Sequence, residues 1–82
     1  MAHIVNVEAW DNFDLSLYAK RVKINDVFQS LYKISYNYFR NSRDMNNPIQ
    51  AVEYVVAYDK EEAIKTWGKW KGLIYKIEKI NP

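Results

Sequence analysis

Residues 51–80 read AVEYVVAYDKEEAIKTWGKWKGLIYKIEKI, and this stretch decides the fold. Val52, Tyr54, Val56 and Tyr58 alternate with Ala51, Glu53, Val55 and Ala57, which is the period-two pattern of a strand over 51–58. Both faces are largely apolar, so this strand belongs in the middle of a sheet or under cover on each side. Asp59, with Glu62 three positions on, makes a capping box, and Ala63, Ile64, Trp67 and Trp70 give the apolar stripe of a short helix. Gly68 weakens that helix, and Gly72 is expected to end it. A further strand follows over 73–80, with Leu73, Tyr75 and Ile77 on one side and Lys76 and Glu78 on the other.

Working outward, residues 31–40 (LYKISYNYFR) are rich in aromatic and β-branched side chains, with Tyr32, Ile34, Tyr36 and Tyr38 opposite Lys33, Ser35 and Asn37. This predicts another strand. The connecting segment NSRDMNNPIQ, residues 41–50, has the Asn, Asp, Ser and Pro content of a loop or an extended hairpin tip. Near the N-terminus, Val5, Val7 and Ala9 alternate with Asn6 and Glu8, so a first strand is expected over residues 3–10. Asp11, Asn12 and Asp14 then supply acceptors for the first turn of a helix. From there Phe13, Leu17, Arg21, Ile24, Phe28 and Leu31 recur at spacings of three and four, with Leu15, Tyr18 and Val22 widening the stripe. The pattern predicts a helix from about residue 12 to residue 30. A second reading runs a strand through Phe13, Leu15 and Leu17, breaks near Lys20, and starts a short helix capped by Asn25.

The resulting order, βαββαβ, is α+β. With right-handed crossovers and a hairpin between the second and third strands it predicts a ferredoxin-like sandwich, in which two helices cover one face of a four-stranded antiparallel sheet. The fallback is a ββαβ core with an N-terminal helical arm. At 82 residues the chain makes one domain, 1–82, because two cores of half the size would bury too little. Its 3 Trp, 7 Tyr and 3 Phe let that core bury much area from few positions. There is no cysteine, so neither a disulfide nor a thiolate site contributes, and a reducing, cytoplasmic setting is the expectation. No apolar run approaches the ~20 residues that span a bilayer, and the N-terminus lacks the basic start and apolar core of a secretory signal; no membrane association is expected.

The residue types that carry catalysis are not brought together by spacing. His3 is the only histidine and reads as an exposed strand end rather than a metal ligand, since no other ligand clusters with it. Glu61 and Glu62 occupy the first turn of a helix, where negative charge complements the helix dipole, and Asp11 and Asp14 have the same explanation. Ser16 and the other serines lack a histidine base. Gly68 and Gly72 are the only glycines, which excludes a glycine-rich phosphate loop. The chain is therefore expected to be no enzyme and to use no cofactor.

Two local resemblances bear on function. The strand QAVEYVVAY running into a helix with Ala63 resembles the RNA-recognition motif domain, whose central strands stack bases on aromatic side chains. That resemblance implies Tyr54 and Tyr58 as platforms. It departs from the family where Gln50 and Ala51 replace a basic residue and Gly, and where HIVNVEA lacks a partner aromatic in the first strand. The pattern Ala57, Asp59, Lys60, Glu61, Glu62, Ala63 and Ile64 resembles small phage- and mobile-element-encoded proteins, many of them modulators of host enzymes or defence systems. It implies a protein partner and assigns no residue a role.

What remains is surface. The formal charge of +2 is too small to indicate nucleic acid alone, but Lys65, Lys69, Lys71, Lys76 and Lys79 face only Glu78 in the C-terminal part. Trp67 and Trp70 are three apart among these lysines, and one exposed Trp there would be the kind of anchor that dominates interfaces. Tyr36 and Tyr38 would add an aromatic patch if the sheet face is open, and Arg40 and Arg43 would extend the basic surface. The expectation is a small interaction protein, an inhibitor-type binder or a homodimer, acting through Tyr36, Tyr38, Arg40, Arg43, Trp67, Lys69, Trp70 and Lys71. The alternative is a nucleic-acid-binding module built on the sheet aromatics and the C-terminal lysines.

Overall fold

The computed structural model describes residues 2–5, 14–39 and 48–81. Their elements are β1 (His3–Val5), α1 (Leu15–Asn25), β2 (Ser30–Tyr38), β3 (Ile49–Ala57), α2 (Lys60–Trp67), a 3-10 turn over Lys71–Leu73 and β4 (Ile74–Ile80). The class is α+β, and the order of elements is compatible with the ferredoxin-like expectation. The four strands form one antiparallel sheet in the order β1-β3-β2-β4. No helix among the described residues is long and apolar enough to cross a membrane.

The hairpin of β2 and β3 is the spine of the sheet. It pairs over nine positions, from Ser30 with Ala57 to Tyr38 with Ile49. Both strands are internal, which accounts for the two apolar faces of β3. Side chains alternate between faces, so Tyr32, Ile34, Tyr36, Val55 and Ala57 lie on one side of the sheet and pack with Ala63 and Trp67 of α2. Leu31 and Val56 lie on the other, with Val5, Ala19 and Val22 of β1 and α1. The two helices thus cover opposite faces, where the sequence predicted both on one.

Chirality explains the difference. Strands β1 and β2 are parallel to each other across β3, and β3 and β4 are parallel across β2. Both crossovers step the same way across the sheet, but the strands that start them run in opposite directions. Two right-handed crossovers then have to pass on opposite sides. The expected one-sided layering would need β4 to return beside β1. It pairs with β2 instead, from Leu31 with Ile80 to Tyr36 with Ile74, with a bulge near the Tyr36 end.

Several boundaries also differ from expectation. The first helix starts at its Asp14 cap, whose Oδ1 accepts from Leu17 N–H at 3.2 Å, and ends at Asn25 rather than Ser30. Asp26 stops it: its backbone is extended, and its carboxylate accepts from Phe28 N–H at 2.9 Å, which fixes the turn into β2. The strand alternative through Leu15 and Leu17 is replaced by this helix. Expectations for residues 6–13 and 40–47, including the rest of the first strand, Phe13, Arg40 and Arg43, lie outside the described residues. Helix α2 ends at Gly68, whose φ of 77° is left-handed, and not at Gly72.

The largest correction is the buried side of α1. Its core-facing residues are Ala19 and Val22, flanked by Leu15 and Tyr18. Leu17, Ile24 and Phe28, read from sequence as the core stripe, point outward and are 56%, 74% and 76% exposed. The helix carries two apolar stripes, and only one of them packs.

Candidate interaction surface

The segment after α2 places a tryptophan in solvent, with its ring resting on the backbone two residues on. Trp67 is buried, with its ring 5.0 Å from that of Tyr36 in an edge-on arrangement, while Trp70 is 71% exposed. The Trp70 indole lies against the backbone of Gly72. A Cβ at position 72 would stand 2.5 Å from Trp70 Cζ2 and 2.6 Å from Cε2. A side chain at position 72 would push the exposed ring aside, so glycine is what lets the indole lie this close to the backbone. Trp70 O also accepts from Leu73 N–H at 3.0 Å, closing the turn.

Beneath this turn Lys69 is tied to the sheet. Its ammonium donates to Glu53 Oε1 at 2.7 Å and to the Tyr36 hydroxyl at 3.3 Å, and the hydroxyl in turn donates to Glu53 Oε1 at 2.8 Å. The same ammonium lies 4.9 Å from the centre of the Tyr36 ring and 5.7 Å from that of Trp67. Burial alone would push the Glu53 carboxyl up. The hydrogen bonds from Lys69 and Tyr36, with the lysine charge, outweigh that and hold it below the usual carboxylate range. The hydrogen bond to Glu53 raises Lys69 above its ordinary value, and desolvation followed by the Glu53 contact raises the Tyr36 phenol. The buried Trp67 Nε1 has no partner at hydrogen-bonding geometry, yet it is near enough to Glu53 for its N–H to add to the lowering.

The eight residues singled out from sequence therefore divide. Tyr36 and Trp67 are buried and act as the floor of the turn. Lys69, Trp70 and Lys71 are exposed on it. Tyr38 is 49% exposed and pairs with Ile49, itself 40% exposed, two residues beyond Tyr36 on the same face. Because Ile74 pairs with Tyr36, the Trp70 turn emerges at this same end of the sheet. Trp70, Tyr38, Ile49 and the half-exposed Tyr75 thus mark one aromatic end of the molecule. Arg40 and Arg43 lie outside the described residues.

Sequence reasoning missed the outward stripe of α1, Leu17 and Ile24 with Val27 and Phe28 beyond the helix end. Arg21 inside that stripe was the available signal, since Leu15, Tyr18, Ala19 and Val22 form an equally spaced set without a charge. Of the platforms implied by the RNA-recognition motif, Tyr54 packs with the α1 cluster, while Tyr58 is 47% exposed and its hydroxyl donates to Asp26 Oδ2 at 3.0 Å. On the α1 side a shallow cleft of about 260 Å³ is lined by His3, Tyr18, Arg21, Asn25 and Gln29 among others. Among the described residues no three metal-binding side chains come together. Comparison with protein-family models, curated proteins and solved structures found no match.

Proposed function

We propose that this chain is a small non-enzymatic interaction protein whose contact anchor is Trp70, presented with Tyr38 and Ile49 at one end of the sheet. The observation that carries the reading is an indole that is 71% exposed and yet seated on Gly72, above a turn tethered through Lys69 to Glu53. An exposed aromatic normally loses rotamer freedom on binding; one already held in place loses less, so more of its contact energy appears as affinity. Large aromatic anchors of this kind carry a disproportionate share of binding energy. The partner class is a protein with an apolar pocket, and the local resemblance to small phage and mobile-element proteins favours a host enzyme or defence component.

Binding of nucleic acid is the competing reading, because Lys65 and Lys71 are exposed near the same turn. Lys69 supports it less, since its charge is already engaged by Glu53. Affinity purification with the parent, Trp70→Ala and Gly72→Ala, each checked for parent-like circular dichroism, separates the readings. The parent retains a specific protein, Trp70→Ala weakens it by about 2 kcal/mol or more, roughly thirtyfold, and Gly72→Ala weakens it by displacing the ring. Retention unchanged in Trp70→Ala overturns the proposal. Polynucleotide binding that falls steeply with salt would favour the competitor.

A further inference from the structure

Among the described residues, strand β4 closes one edge of the sheet, with β2 as its one neighbour. It is seven residues long and reads IYKIEKI. An edge of this length presents unpaired backbone groups, and proteins commonly guard such edges with lysine. Here Lys76 and Lys79 fit that role, but Glu78 changes what the edge repels.

Written about Ile77, the centre of the strand is charge-complementary to itself: Lys76 and Glu78 flank Ile77 and lie on one face. We propose that β4 pairs antiparallel with β4 of a second copy of this chain, across a two-fold axis at Ile77, to join two four-stranded sheets into one. In this register each Lys76 stands directly opposite Glu78 of the other copy. Two-fold symmetry about an axis normal to the sheet requires that paired residues share a face, so only registers centred on a residue are available. Centring on Lys76 sets lysine against lysine, on Glu78 carboxylate against carboxylate, and on Lys79 lysine against lysine again. Ile77 is the centre within 76–79 that sets unlike charges together.

The side chains are placed for it. Lys76 and Glu78 share the face opposite α2, as their pairing with Ser35 and Lys33 of β2 shows. Within one chain they already approach to 3.4 Å, with side chains 62% and 40% exposed. A second copy turns this pair into four alternating charges around the axis. On the other face Ile77, opposite Ile34 and part of the α2-side core, would meet its own copy and extend that core across the junction. The bulge at Tyr75 interrupts the alternation before Lys76, so in this register the regular pairing is confined to residues 76–78 of each copy. Strand pairing of this length is a small interface, so association depends on concentration rather than being permanent. It is independent of the Trp70 reading; where both hold, the pair presents two Trp70 anchors on one side of the joined sheet.

Sedimentation equilibrium over a wide concentration range tests the pairing. The parent shows a monomer–dimer equilibrium. Lys76→Glu and Glu78→Lys each replace two unlike pairs by two like ones and raise the dissociation constant roughly tenfold to a hundredfold. Mixing the two variants restores parent-like association, because the two carboxylates of one chain then face the two ammonium groups of the other. The double variant Lys76→Glu/Glu78→Lys restores it within a single species. Trp70→Ala leaves all of this unchanged. A parent that stays monomeric at every concentration, or single variants that associate like the parent, or a mixture that stays as weak as its components, overturns the inference.

Discussion

Glu53 shows how a single charge stays on an internal strand. Its side chain is 26% exposed, and Lys69 and Tyr36 both donate to the same oxygen. Because its folded value lies below the unfolded one, its contribution is complete above the ordinary carboxylate range and is lost as pH falls through the folded value. Lys69 is shifted the other way, so its share is lost only as pH rises past the ordinary lysine value. Glu53→Gln is expected to cost about 1 kcal/mol at neutral pH, the value for a charged hydrogen bond reduced for a partner that is 46% exposed. Urea denaturation at a series of pH values checks this: the gap between parent and variant should close in acid, and a gap independent of pH would show that the carboxylate charge is not responsible.

At the scale of the element, α2 is an eight-residue helix that depends on its ends. Asp59 Oδ1 accepts from Glu62 N–H at 2.7 Å, and Glu62 Oε1 reaches back to Tyr58 N–H at 2.9 Å, one residue before the cap. Asp59→Ala is expected to lose about 1 kcal/mol. Gly68→Ala is expected to lose about 1–2 kcal/mol, because a Cβ is strained at a φ of 77° even though the space around it is open. Thermal melts of both variants check the pair, and a Gly68→Ala melt equal to the parent would remove the left-handed cap as the reason the helix ends there. The start of this helix was legible because a capping box is a local pattern. Its end was not, since the sequence favoured Gly72 over Gly68, and the left-handed backbone that stops the helix falls at Gly68. The same limit applies to α1, whose two apolar stripes are equivalent until a sheet face selects one.

For the whole molecule, the opposed helices make neighbouring positions on one strand unequal. Val52 and Val56 lie on the same face of β3, yet Val56 is 2% exposed beneath α1 and Val52 is 42% exposed beyond it. Val56→Asp places a charge with no partner in that core and is expected to abolish cooperative unfolding. Val52→Asp is expected to cost about 1 kcal/mol or less. Denaturation of the two side by side checks the placement of α1: equal effects would mean that the helix does not discriminate between them.

The sequence by itself determined the α+β class, the order of elements, the β2–β3 hairpin and the N-terminal cap of α2, because each depends on alternation or spacing within a few residues. Only the tertiary structure decided that β4 joins β2, that the helices take opposite faces, that Trp67 is floor and Trp70 is surface, and which stripe of α1 is buried. Those outcomes depend on which strand lies beside which, and a local pattern does not encode its neighbour. Residues 51–80 show both sides of this: their alternation announced a covered central strand, and the sheet order then supplied two different helices to cover it.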